Sequence, residues 1–288
     1  MYKTTLKNIY ISSLALRGSS PEEMIERAIN NNWALEFSSG MPYRADMENL
    51  YMKAAIKRMP HNYFPAPETD FVLNLASIND EIRKKSIEHC KKGLYLAKHS
   101  LAPFFSAHSG FCIDPDPNEL GKKIQFSAGF NKEKNKELFI GSVKEILKTA
   151  DELEIDFLAE NNVIGAFNLT DNAINPLLCC NAEEIKWLFD TIKHIRFGLL
   201  LDTAHLKVTC NTLHIDIDKE FNILKPFIKG IHHSDNDGFT DDNQPMKKDY
   251  WFLPYLKQYA DSVHVIEVKD IADDIINNQI KLLQPNGC

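Results

Sequence analysis

The chain has no run of eighteen apolar residues, so it offers no candidate for a membrane-spanning helix. Its six cysteines (Cys90, Cys112, Cys179, Cys180, Cys210 and Cys288) contain no CxxC spacing, which excludes a zinc ribbon, a dithiol redox motif and a small disulfide scaffold. A reducing, cytoplasmic setting is the expectation. There is no excess of positive charge: 33 Lys and Arg stand against 40 Asp and Glu, a net charge of -7. Such a balance carries no electrostatic footprint for nucleic acid, although a local basic groove can hide within it. No glycine-rich phosphate turn follows an early strand, which argues against a dinucleotide-binding doubly wound sheet. The start of the chain lacks the features of a cleavable leader. Ser12 and Ser13 interrupt its short apolar stretch and Arg17 follows, so residues 8–14 read as a first strand. No linker, low-complexity tract or composition break divides the chain, and one domain over residues 1–288 is expected.

What is present is alternation. After the first strand, Ser20-Pro21-Glu22-Glu23 supplies a cap, a proline at the first helical position and early acids, and the helix runs to about Asn31. Trp33–Phe37 reads as a second strand, Asp46–Arg58 as a helix, and a third strand falls near His61. Helices are expected over 78–99, 137–153 and 181–193, and strands over 102–107, 156–159, 196–201, 228–232 and 262–267. The loop from Ser109 to about Asn131 is long for an α/β connection and suits a lid. Eight strand–helix alternations without a hairpin signal predict an α/β fold, a single closed (β/α)8 TIM barrel.

The strands end on metal-binding side chains. His61, His108, Glu160, Asp202, His232 and Glu267 follow successive strand-like stretches, at steps of about thirty to fifty residues. In a parallel barrel all those ends open on the carboxyl face, so a metal site is predicted there. Glu160 and Glu267 close apolar strands, where an unpaired buried carboxylate costs several kcal/mol or shifts its pKa. Around a divalent cation both stay ionised; the plainer reading is that each caps a loop or pairs with a lysine such as Lys269. Asp202 and His205 form D-T-A-H after a continuous apolar run, a gap that presents both from one strand-end turn. His205 is open to three roles: ligand, polariser of a substrate carbonyl, or hydrogen-bond partner. His232 and His233 are adjacent and point to opposite faces, so only one, taken as His232, looks into the barrel mouth. Arg44, Lys207 and Lys269 are possible substrate-anion contacts.

These residues resemble the xylose isomerase-like barrel superfamily, which includes sugar isomerases and epimerases and endonuclease IV. The resemblance spans nearly the whole chain, on LAEN at Glu160, LLLDTAH at Asp202 and His205, GIHHSD at His232 and VIE at Glu267, with HNYF at His61, NLAS at 74–77 and HSGF at His108. It implies that Glu160, Asp202, His232 and Glu267 hold one divalent metal, Mn2+ or Zn2+, with Mg2+ or Co2+ also compatible. It implies a second zinc on His61 and His108 if the chemistry is that of endonuclease IV. Two departures bear on function. The loop after the seventh strand reads Asp241-Asp242-Asn243, with asparagine where endonuclease IV has a third-zinc histidine, and amide oxygen is a poor zinc ligand. The arginine that ketose epimerases carry after the metal histidine is missing: position 238 is glycine, and no arginine occurs from Phe197 onward. The resulting expectation is a metal-dependent isomerase or epimerase of a small sugar-like hydroxy-carbonyl compound. Glu160 and Glu267 would move the proton, and His205, with Lys269, would contact substrate. A zinc phosphodiesterase and a non-catalytic metal- or sugar-binding barrel are the rivals.

Overall fold

The computed structural model describes residues 6–116, 130–170 and 174–284. Eight parallel strands form one sheet: β1 (Asn8–Ser12), β2 (Ala34–Phe37), β3 (Arg58–Pro60), β4 (Phe104–His108), β5 (Asp156–Glu160), β6 (Phe197–Asp202), β7 (Ile228–His233) and β8 (Val263–Ile266). Their order, β3-β2-β1-β8-β7-β6-β5-β4, is that of a barrel, and the β3–β4 seam is closed by one bridge between His61 and Ser106. Around it run α1 (Pro21–Asn31), α2 (Met47–Lys53), α3 (Asp80–His99), α4 (Lys132–Leu153), α5 (Ala182–Ile192), α6 (Thr203–Leu213), α7 (Ile217–Leu224) and α8 (Asp273–Leu283). The expected (β/α)8 TIM barrel is the fold.

Local chemistry sets these boundaries. Ser20 and Glu23 cap α1 reciprocally, and the side chains of Asn79, Asn131 and Asn181 each accept a first-turn N–H of α3, α4 and α5. Helix α2 ends earlier than the periodicity suggested, at Lys53. The guanidinium of Arg58 donates to the carbonyls of Met52, Ala54 and Ile56 and so holds the chain as it turns into β3. The third strand accordingly precedes His61. The lid expectation falls mostly on residues 117–129, outside the described residues.

Strand parity sorts the side chains. Phe105, Phe157 and Phe197 are register partners, and Phe197 stacks on Phe189 of α5 at 4.6 Å, so these residues face the helices. Every second residue therefore faces the barrel interior. From the same register Ser106, Leu158, Leu200 and Val265 point inward below the rim, and His108, Glu160, Asp202, His232 and Glu267 point inward at the carboxyl end. Gly230 leaves the interior open to Phe104, whose ring would lie 2.8 Å from a Cβ placed there.

Candidate metal centre

Four consecutive strands, β5 to β8, bring Glu160, Asp202, His232 and Glu267 together, with one ligand atom of each within 4.8 Å of the others. Nδ1 of His232 faces three carboxylates at once: Glu267 Oε2 at 2.8 Å, Glu160 Oε1 at 3.5 Å and Asp202 Oδ2 at 3.9 Å. One proton cannot serve three acceptors, and among the described residues no well-aligned hydrogen bond reaches the buried Glu160 Oε2 or Asp202 Oδ2. Unpaired buried carboxylate oxygens are costly unless a cation faces them. The donor set, three carboxylates and one imidazole, fits a divalent cation.

Local structure aims each group. Asp202 ends β6 and caps α6: its Oδ1 accepts the N–H of His205 at 2.7 Å, which is why D-T-A-H folds as a strand-to-helix turn. Asn161 clamps the neighbouring ends, its side chain exchanging two hydrogen bonds with the backbone of Asp202. On the far side of His232, Nε2 lies 2.9 Å from Glu36 Oε2. With the proton on Nε2 donated to Glu36, Nδ1 is free to ligate, the usual way a carboxylate fixes a ligand imidazole.

A second set shares Glu160. Its Oε2 lies 3.2 Å from Nε2 of His61 and 3.5 Å from Nδ1 of His108, and these three residues also bring ligand atoms within 4.8 Å of one another, as do Glu36, His61 and His232. His61 is oriented from behind by Ser106 Oγ, 2.8 Å from its Nδ1. His205 sits beside the centre, with Nδ1 2.8 Å from the Asn161 carbonyl and Nε2 3.1 Å from Asp241. Asn243, at a positive φ of 50°, turns its amide toward Ser234 Oγ.

The charges interlock. Burial opposes ionisation of Glu160, but the imidazoles of His108, His232 and His61 outweigh it and hold the carboxyl well below the usual range. Burial pushes Asp202 up to about 8, with Glu267, Asp241 and Glu160 adding to it against the pull of His205. Burial also opposes the imidazolium forms of His232 and His205, yet the carboxylates around them raise both well above the ordinary histidine value. His233, on the opposite face of β7, is held neutral by burial and by His264.

Above the centre lies a cavity of about 550 Å³ whose lining includes Asn62, His108, Asn162, His205 and Asp241. Lys269 does not line it: it is exposed, two residues beyond Glu267, with its backbone N–H on the Asn243 carbonyl. Arg44 is paired with Glu22 and Asp46, and Lys207 with Asp235.

The family model of the xylose isomerase-like TIM barrel matches residues 41–272. The chain belongs to this family. No curated protein sequence matches it. Among solved structures, a D-tagatose 3-epimerase-like protein is 18% identical, with a TM-score of 0.70 over 98% of this chain and 100% of that one. A Thermus thermophilus protein soaked with ZnCl2 is 18% identical, with a TM-score of 0.65 over 98% and 100%. D-psicose 3-epimerase from Clostridium cellulolyticum, with D-tagatose, is 16% identical, with a TM-score of 0.64 over 98% and 92%. At such identities the likeness is one of fold.

Within the family barrel, the secondary motifs acquire structural work. Asn74 of NLAS accepts the N–H groups of Ala76 and Phe111, and a Cβ on Gly110 of HSGF would lie 2.5 Å from that of Ala76. The two segments pack too closely for any side chain at 110. Sequence reasoning missed Glu36 and left Asp241 without a role. The available signal for Glu36 was a lone carboxylate inside the apolar strand ALEF. Among the described residues, no helix is long and apolar enough to cross a membrane.

Proposed function

We propose that the chain is a divalent-metal-dependent isomerase or epimerase that moves a proton beside the carbonyl of a small sugar-like substrate. The observation that carries this is the convergence of three buried carboxylates on one nitrogen of His232, two of them with an oxygen that no well-aligned hydrogen bond from the described residues reaches. Glu160, Asp202, His232 and Glu267 would hold the ion. A divalent cation there supplies positive charge where negative charge develops as a proton beside a carbonyl leaves. Glu160 and Glu267 stand at the two ends of the β5–β8 arc, so one removes the proton and the other returns it. Asp202 holds the β6 turn, and Glu36 keeps the Nε2 proton of His232 away from the centre. His205 is held through Nδ1 on the Asn161 carbonyl, and its Nε2 proton would pass from Asp241 to a substrate oxygen that takes the carboxylate's place. The D-tagatose 3-epimerase-like and D-psicose 3-epimerase neighbours support the sugar class.

The test is metal content by elemental analysis after chelator-free purification, followed by NMR of solvent deuterium entering ketoses at the carbon beside the carbonyl. One metal per chain is expected, with exchange falling about 10²- to 10⁴-fold in Glu160→Gln. A metal-free protein, or exchange that survives in Glu160→Gln, overturns the reading.

One observation favours a second reading, a zinc phosphodiesterase. Glu160 directs Oε1 to His232 and Oε2 to His61 and His108, the disposition of a carboxylate between two ions. Against it, Asn243 faces Ser234 rather than His205. Two or more bound zincs with cleavage of an abasic-site duplex would place this reading first.

A further inference from the structure

The cavity over the centre has a polar floor and apolar walls. His108 and His205 form the floor, each within 3.7 Å of a Glu160 oxygen. The walls carry Tyr63, Phe71, Leu73, Phe111, Phe167 and Phe239, together with further aliphatic side chains. Among the described residues no lysine or arginine lines the space. The charged side chains besides the two histidines are Asp70 and Asp241, and Asp241 faces His205. Among the described residues, a phosphate placed there meets two carboxylates and no guanidinium or ammonium. Ser39, Asn62, Asn162 and Thr240 also line the space, but a hydroxyl set against the rings and aliphatic side chains of the walls would lose its partners.

The walls are also preformed. The Phe71 N–H donates to the Tyr63 hydroxyl at 2.7 Å, the two rings meet at 5.4 Å, and Tyr63 stacks on His89 at 5.3 Å. Two further rings stand open at the same cavity: Phe167 is 41% exposed and Phe239 is 66% exposed. A single exposed aromatic is ordinary, but two from separate segments lining one cavity over a polar centre give that cavity apolar surface for a ligand to cover.

Resting on the metal-site reading above, we propose that the substrate is amphipathic: an oxygen-bearing head at the centre and an uncharged aromatic or alkyl tail against Tyr63, Phe71, Phe167 and Phe239. The cavity volume of about 550 Å³ is ordinary for such a molecule.

The experiment uses the metal-loaded protein, with metal binding measured first by calorimetry, and three hydroxamates that share one chelating head. Benzohydroxamate is expected to bind about 10- to 100-fold tighter than acetohydroxamate, the worth of covering a phenyl group. Phosphoglycolohydroxamate, which adds a phosphate, should bind no tighter than acetohydroxamate. Phe239→Ala and Phe167→Ala remove exposed or half-exposed rings and should each shrink the benzo-to-aceto ratio at least about threefold. A ratio near unity, a ratio untouched by both substitutions, or preference for the phosphorylated probe overturns this inference while leaving the metal site standing. A protein that binds no metal overturns the site reading and the inference with it.

Discussion

Asp202 serves two structures with its two oxygens. Oδ1 caps α6 at the N–H of His205, and Oδ2 is buried toward the centre without a hydrogen-bond partner among the described residues. Asparagine keeps the capping oxygen and removes the charge, so Asp202→Asn separates the roles. Because burial and the neighbouring carboxylates push Asp202 up to about 8, relieving that charge should raise the melting temperature of the metal-free protein at pH 8. The same variant should lose most of the stabilisation that added metal confers on the parent, as thermal melts with and without Mn2+ would show. A variant that still gains the full metal increment would remove Asp202 from the ligand set. The residues at strand ends were legible in the sequence because an apolar run stopping at His, Asp or Glu is a local signal. Glu36 was not, since its meaning depends on register: only the pairing of Ser12 with Glu36 places it inward, opposite His232 across the barrel mouth.

At the scale of elements, β7 shows how alternation divides neighbouring residues between two tasks. His232 faces the centre, while His233 faces out and enters a directed chain of hydrogen bonds. The Tyr259 carbonyl fixes the Nε2 proton of His264, whose Nδ1 accepts from His233 Nε2, whose Nδ1 in turn accepts from the Tyr250 hydroxyl. Thr203 Oγ1 lies next to the Tyr250 hydroxyl and 3.0 Å from the His232 carbonyl, its one proton serving either, so these contacts link β7, β8 and α6 behind the ligands. His264→Phe keeps an aromatic ring but leaves the His233 donor buried and unpaired. A loss of about 1–3 kcal/mol is expected in urea unfolding. An unchanged midpoint would show that the chain holds nothing. The alternation of strands and helices was readable from periodicity and caps, and so was the opposition of His232 to His233. The partners of His233 were not, because His264 and Tyr250 come from segments whose proximity only the closed barrel creates. The end of α2 was placed too late, at Arg58 rather than Lys53, for a related reason: the Arg58 contacts that hold the chain beyond Lys53 are invisible to hydrophobic spacing.

For the whole molecule, the buried ionisable groups set a pH profile that metal should invert. In the metal-free protein, Asp202, His61, His205 and His232 have raised pKa values, so the folded state holds more protons than the unfolded and stability falls as pH rises through their folded values. His89 and His264, lowered to about 4 by burial, and His233 act oppositely: the unfolded chain takes up their protons below about pH 6.5, and stability falls toward pH 4. A maximum at about pH 6 is expected for the metal-free protein. Ligands that must shed protons bind metal more tightly as pH rises, so the metal-induced gain in melting temperature should be larger at pH 8 than at pH 6 and vanish with chelator. Equal gains at both values would contradict the protonation pattern. The seam between β3 and β4 adds a mechanical side to this. Seven strand pairs are laddered, but this eighth edge is joined by the His61–Ser106 bridge and an Asn62–Ser106 hydrogen bond of 2.7 Å. His61 stands on one lip of that edge and His108 on the other, with Glu160 facing both. An ion gripped by these three would act as a clasp on the barrel's least-stitched side, so occupancy of the second ligand set and the opening of the wall become a single equilibrium.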